Sequence, residues 1–180
     1  MNDTPLVLCR RTAEQITVDG VLSERSWAAV EPITLCRTDT GDAARFRTEV
    51  RLLWDDTYLY ASFHCVDPDI WANMVLRDAP LWEEEVVEMF LDPNRSGNAY
   101  FEFVVNPLNT LTDVFVLNRW GQFKPLRDWN AEGVKHAVVV DGDPSDPLSE
   151  DRSWTMECAI PFRELVTAPN IPPKSGDSWR

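Results

Sequence analysis

Short stretches of alternating apolar and polar side chains, each closed by Asp, Asn, Pro or Gly, recur along this chain and leave little room for helix. In residues 47–54, Thr48, Val50, Leu52 and Trp54 fall on one side and Arg47, Glu49 and Arg51 on the other, the two-residue period of a strand with one buried face. Asp55, Asp56 and Thr57 supply turn chemistry, and the aromatic-rich run 58–66 returns, which predicts a hairpin. Runs 85–92 and 99–106 are joined by a Pro- and Gly-containing loop that no helix could cross. Runs 111–117, 134–141 and 152–160 have the same β-branched and aromatic character, and 6–9, 16–18 and 33–36 carry it more weakly. Helical turns are expected only at 23–29, with Ser23 as N-cap, and at 161–166, with Pro161 in the first position. The expected fold is therefore all-β, a jelly-roll-like antiparallel β-sandwich with one or two short helical turns.

Composition bounds the function. A chain of 180 residues with 44% hydrophobic content supports one core, so residues 1–180 are taken as a single domain. No apolar run approaches the ~18 residues of a membrane helix, and no membrane partner is expected. Lys and Arg total 17 against 30 Asp and Glu, and a net charge of -13 repels a phosphate backbone, so no nucleic acid is expected. The 7 glycines never form a dinucleotide or nucleotide phosphate loop, and the G-x-S-x-G elbow is missing. Cys9, Cys36, Cys65 and Cys158 show no C-x-x-C pairing; four cysteines could form two bridges, but three sit in strand-like apolar runs, where a buried free thiol is expected. Residues 1–5 carry no leader pattern: the expectation is cytoplasmic if Met1 is native and extracytoplasmic if a leader was removed. Residues 178–180 read as the opening of a further strand, so the sandwich is expected to lack its C-terminal strand or strands.

The densest chemistry lies in residues 77–92. Trp82 stands in a loop before a strand in which Val86, Glu88 and Phe90 share one face. A carboxylate on such an apolar surface needs a partner, hydrogen-bond donors or a ligand. The next strand places Tyr100, Glu102, Val104 and Asn106 on one face. If Asp92 pairs with Asn98, Glu88 lies directly opposite Glu102, a repulsive pair unless something polar bridges it. Glu83, Glu84 and Glu85 read as a solvated turn. Trp27, Trp54 and Trp154 read as core residues, whereas Trp71, Trp120 and Trp129 stand in loop-like stretches. His64 and His136 lie in strands with no second ligand at metal spacing and read as structural. The loop from Asp141 imitates a calcium loop at Asp141, Asp143 and Ser145, but Asp146 replaces its glycine and Arg152 its bidentate Glu.

Residues 16–27, 50–60, 81–92, 103–106 and 159–162, in this order and spacing, resemble the family 9 carbohydrate-binding modules. The resemblance implies a non-catalytic β-sandwich that grips mono- and oligosaccharides, or chain ends of glucans and xylans, in a slot between Trp side chains. It assigns stacking to Trp82, hydroxyl hydrogen bonds to Glu88, and flanking polar roles to Glu102 and Asn106. Val104 stands where that slot can present an arginine, and the second slot Trp falls past Arg180. The implied partners are a glucan- or xylan-derived saccharide and a carbohydrate-active enzyme. The only implied cofactor is structural calcium, with Asp67 as the position of interest. Three alternatives compete. One is an accessory domain without sugar binding. Another is a small glycosidase using Glu88 and Glu102 as its carboxylate pair. The third is a haem-binding sandwich that recruits His64 and Met74.

Overall fold

The computed structural model describes residues 5–119 and 122–180. In chain order the elements are β1 (Arg10–Arg11), α1 (Arg25–Ala28), β2 (Ile33–Thr34), β3 (Thr48–Trp54), β4 (Tyr58–Val66), a 3-10 turn (Leu81–Glu83), β5 (Val87–Leu91), β6 (Ala99–Val105), β7 (Leu111–Arg119), β8 (Gln122–Leu126), β9 (Lys135–Asp141), β10 (Ser153–Pro161) and a second 3-10 turn (Phe162–Glu164). They form two sheets, one ordered β1-β3-β4-β10-β9 with β2 also on β3, the other β5-β6-β7-β8. Every pairing is antiparallel except β1 with β3. This is the expected β-sandwich.

The core lies between the sheets. Val50, Phe63 and Cys65 from β3 and β4, and Trp154, Met156, Cys158 and Ile160 from β10, meet Val87, Phe101, Phe103, Val105 and Leu111 from the opposite layer. Trp129 closes one end on Phe101 and Phe103, at centroid distances of 5.2 and 6.2 Å. Burial of this apolar surface is the main favourable term in folding. A second, smaller core covers the outside of the larger sheet, where Ile16, Trp27 and Val30 pack on Leu53, Tyr60 and Ala159. Trp27 and Trp154 are buried as expected, and Trp54 is partly buried against the main core. Trp71 is exposed, and Trp120 lies outside the described residues.

Several local expectations need correction. The first helical turn starts from Glu24, not Ser23, and no side chain caps it. The second is a 3-10 turn that Pro161 precedes as the last residue of β10. Residues 6–9 and 16–18 are not strands, whereas β8 was unanticipated. Pro125 is tolerated in β8 because that strand forms a sheet edge, where a missing N–H costs no ladder bond. The β5–β6 register pairs Glu88 with Val104 and Phe90 with Glu102, two residues from the expected alignment. Asp92 does not pair across to β6: its carboxylate accepts the N–H groups of Ser96 (3.2 Å) and Gly97 (2.7 Å), while its own N–H and carbonyl bond the Arg180 carbonyl (2.6 Å) and N–H (3.0 Å). A two-residue slip keeps each side chain on its face, so Glu88 and Glu102 remain neighbours, diagonal instead of opposite.

Candidate functional site

The outward face of the smaller sheet carries the candidate site. Alternation puts Val87, Met89, Leu91, Phe101, Phe103 and Val105 inward, and Glu88, Phe90, Tyr100, Glu102 and Val104 outward. Register then builds rows across the strands: Glu88–Val104–Thr112 is one, and Phe90–Glu102–Val114 the next. Val104 and Val114 are buried even though they face away from the core, which gives the site an apolar floor.

Loop 71–84 crosses one end of this face and brings Trp82 to it. Thr112 Oγ1 donates to the Ala79 carbonyl (2.7 Å), and the Asp78 N–H donates to the Leu111 carbonyl (3.2 Å). Asn106 is the clamp behind the loop. Its amide hydrogens go to the Met74 carbonyl and Glu84 Oε1, both at 2.8 Å, and its Oδ1 accepts the Thr110 N–H at 2.8 Å. Both amide hydrogens and the carbonyl oxygen are engaged, and Asn106 is fully buried. Glu84 completes the clamp by accepting the N–H groups of Asn73 (2.9 Å) and Met74 (3.1 Å). Glu85 accepts the Trp71 N–H at 3.1 Å. Of the three glutamates expected as a solvated turn, Glu83 fits and the other two are partly buried staples. A further tie comes from Arg77, which donates to the fully buried Asp113 (2.5 Å) and to Asn130 Oδ1 (2.7 Å). Desolvation raises the Asp113 pKa, opposed by the Ala131 N–H and the Arg77 charge.

The result is an aromatic ring presented to solvent. Leu81 is fully buried beneath the turn, while Trp82 next to it is 44% exposed. Large exposed apolar groups on an otherwise built surface point to a contact role. The Arg127 guanidinium lies over the Trp82 ring, 5.0 Å from its centroid. Glu88 has no hydrogen-bond or ion-pair partner among the described residues, and desolvation raises its pKa. Desolvation and the Glu88 charge also raise the pKa of Glu102, while a hydrogen bond from Tyr100 and the Arg127 charge oppose the rise. The fold thus gathers Trp82, Glu88 and Glu102 on one face and places Asn106 behind it, holding the loop. Sequence reading missed Arg127; the only signal was its position next to the unrecognised β8.

Beside this face, an open cleft of about 420 Å³ runs between the free side of β5 and the larger sheet. Phe63, Trp154, Asp67, Glu85 and Glu88 line it. Desolvation, together with the charges of Asp67, Asp69 and Asp151, pushes the Glu85 pKa up to about 7. These carboxylates are engaged internally: Asp67 accepts the Asp69 N–H (3.1 Å), and Asp151 the Ile70 and Asp143 N–H groups (both 2.9 Å). Among the described residues, no three His, Cys, Asp or Glu side chains converge as metal ligands.

His64 Nδ1 pairs with Thr155 Oγ1 (3.0 Å) and His136 Nδ1 with Asn109 Oδ1 (2.7 Å), both polar contacts within the fold. His64 shares its β4–β10 row with Thr155 on the outside of the larger sheet, whereas Met74 belongs to the loop on the smaller one. They cannot clasp one haem. All four cysteines are free, with burial pushing Cys9, Cys65 and Cys158 up to about 12.

Comparison with known proteins agrees with this architecture. A putative carbohydrate-binding protein from Bacteroides uniformis superposes with a TM-score of 0.65 at 14% identity, over 90% of this chain and 75% of that one. A family 9 carbohydrate-binding module from Caldicellulosiruptor kristjanssonii, solved with glucose, matches with a TM-score of 0.53 at 16% identity over 84% of this chain and 67% of its own. The same organism's module with cellotriose gives a TM-score of 0.55 at 17% identity, covering 85% and 66%. Endo-1,4-beta-xylanase A of Thermotoga maritima is 32% identical over 101 residues, which is 53% of this chain but 9% of that enzyme. The model of the carbohydrate family 9 binding domain-like family matches residues 18–174, and the chain belongs to that family.

Proposed function

We propose that this domain binds saccharides non-catalytically on the outward face of its smaller sheet, with Trp82 as the stacking platform and Glu88 and Glu102 as hydroxyl acceptors. One observation carries the reading: a solvent-exposed indole is clamped beside two carboxyl groups that have no ion-pair partner among the described residues. Pyranose rings offer C–H faces to an indole and hydroxyl donors to carboxylates, so the two kinds of group are complementary. Charge-assisted hydrogen bonds of this kind contribute roughly 1.5–3 kcal/mol each when well formed. With one stacked face this supports binding in the micromolar to millimolar range. The glucose and cellotriose in the neighbouring family 9 modules support a glucan-type ligand, and the xylanase match supports a xylan-type one and an enzyme partner. Asn106 serves as a positioning residue, acting through loop 71–84.

The test is a titration of the protein with glucose, cellobiose and xylobiose, and with their borohydride-reduced forms, followed by Trp fluorescence. A saturable change that is lost in Trp82→Ala supports the reading. Saturable binding that survives Trp82→Ala moves the site elsewhere, and no response to any sugar rejects sugar binding.

A further inference from the structure

We infer that Arg127 is a ligand-contacting and specificity-determining residue of this site, supplying the hydrogen-bond donors that its two carboxylates cannot; the inference rests on the saccharide-binding reading. Arg127 directly follows β8, whose register sets Leu126 against Phe115, so the next residue falls beside Val114 in the row that already holds Phe90 and Glu102. Its side chain therefore rises from the same face as both glutamates. The guanidinium stacks 5.0 Å from the centroid of the Trp82 ring. Stacking of this kind orients the planar fork but uses none of its N–H groups.

Those N–H groups are uncommitted. The guanidinium makes no hydrogen bond and no ion pair among the described residues, whereas Arg11, Arg37, Arg77, Arg152 and Arg163 each donate to a side chain. Five donors held in a fixed plane beside Glu102 are a recognition element without an internal partner.

The chemistry of the ligand explains the need. Ionised Glu88 and Glu102 only accept hydrogen bonds, so they can hold sugar hydroxyls as donors but cannot read a lone pair. Ring, glycosidic and hydroxyl oxygens all present lone pairs. A site made of acceptors alone would bind any polyol in many poses. Adding one donor fork fixes the orientation of the ring and discriminates between sugars whose donor and acceptor edges are arranged differently. The fork also balances charge. With Glu88 and Glu102 ionised, the site carries one excess negative charge even with Arg127, so it favours neutral saccharides over uronates.

The experiment compares wild type, Trp82→Ala, Arg127→Ala and Arg127→Lys by titration with cellobiose, xylobiose and glucuronate across the acid range, with melting temperature as the fold control. Arg127→Ala is expected to weaken neutral-sugar binding by about tenfold or more, with Arg127→Lys intermediate because it keeps the charge but loses the fork. Glu102 faces Glu88 from β5, Tyr100 on its own strand, the uncharged Val114 on β7, and Arg127. Removing the Arg127 charge should therefore move the acid-side loss of binding to higher pH, which a merely structural role would not do. Unchanged or tighter binding in Arg127→Ala, an unmoved acid limb, or a preference for glucuronate would overturn the inference while wild type and Trp82→Ala still behave as proposed. Failure of the underlying reading appears elsewhere, as no wild-type binding or as no loss in Trp82→Ala, and it removes this inference as well.

Discussion

Each sheet of this sandwich carries carboxyl groups on its outward face, and the two faces treat them in opposite ways. On the larger sheet, Glu157 is fully buried beneath the N-terminal segment. Its Oε2 accepts the N–H groups of Asp19 and Gly20, and its Oε1 accepts the indole N–H of Trp27, all at 3.0 Å. On the smaller sheet, Glu88 and Glu102 have no covering segment and no cationic partner within ion-pair distance among the described residues. A carboxylate enclosed by protein donors serves the fold. One left open beside an exposed indole is free to serve a ligand. Both glutamate sites look alike in sequence, since each interrupts an apolar strand.

The largest expected effect breaks the sealed face. Glu157→Ala leaves three donors unpaired beneath the small core and should cost about 3 kcal/mol or more of stability, read as a lowered denaturant midpoint. Glu88→Ala, its open counterpart, should leave that midpoint nearly unchanged. Next comes the clamp: Asn106→Ala strands the Thr110 N–H and removes one donor each from Glu84 and from the Met74 carbonyl, which keeps only the Thr110 hydroxyl, and should cost about 2 kcal/mol. The same variant should also weaken sugar binding, because loop 71–84 loses its anchor. Asn106→Asp keeps the acceptor for Thr110 but sets a carboxylate against Glu84, and should be destabilising too.

The smallest effect concerns pH. Glu85 sits among Asp67, Asp69 and Asp151 with its pKa raised to about 7, above its ordinary value of 4.5. Because the raised value belongs to the folded state, the contribution of Glu85 is fully present below the ordinary carboxylate range. It is lost as pH climbs toward about 7. Glu85→Gln should therefore match wild type at pH 4 and melt slightly higher at pH 8. Equal melting at both pH values would mean that neither desolvation nor the neighbouring carboxylates disfavour the Glu85 charge.

Much of the fold was legible because alternation and turn chemistry are local. The runs around β3, β4, β6, β7, β9 and β10 carry their period openly, and the buried face follows from it. What escaped depends on partners distant in sequence. Nothing near Asp92 shows that its carboxylate will cap the following loop, and the register came out two residues off. β8 was invisible because Pro125 breaks its pattern and only its edge position permits it. Trp82, Glu88 and Glu102 were legible as candidates through their contrast with apolar neighbours. The burial of Asn106 and the stacking of Arg127 on Trp82 were not, because each depends on where loop 71–84 crosses the sheet.

The central claim is that the open face, not the sealed one, is the saccharide site. Isothermal titration of Glu88→Gln, Trp82→Ala and wild type with cellobiose tests it most directly, with melting temperature recorded for each. The account predicts wild-type folding in both variants, with binding weakened by at least about tenfold, equivalent to ~1.4 kcal/mol. Unaltered cellobiose affinity in both variants would contradict it.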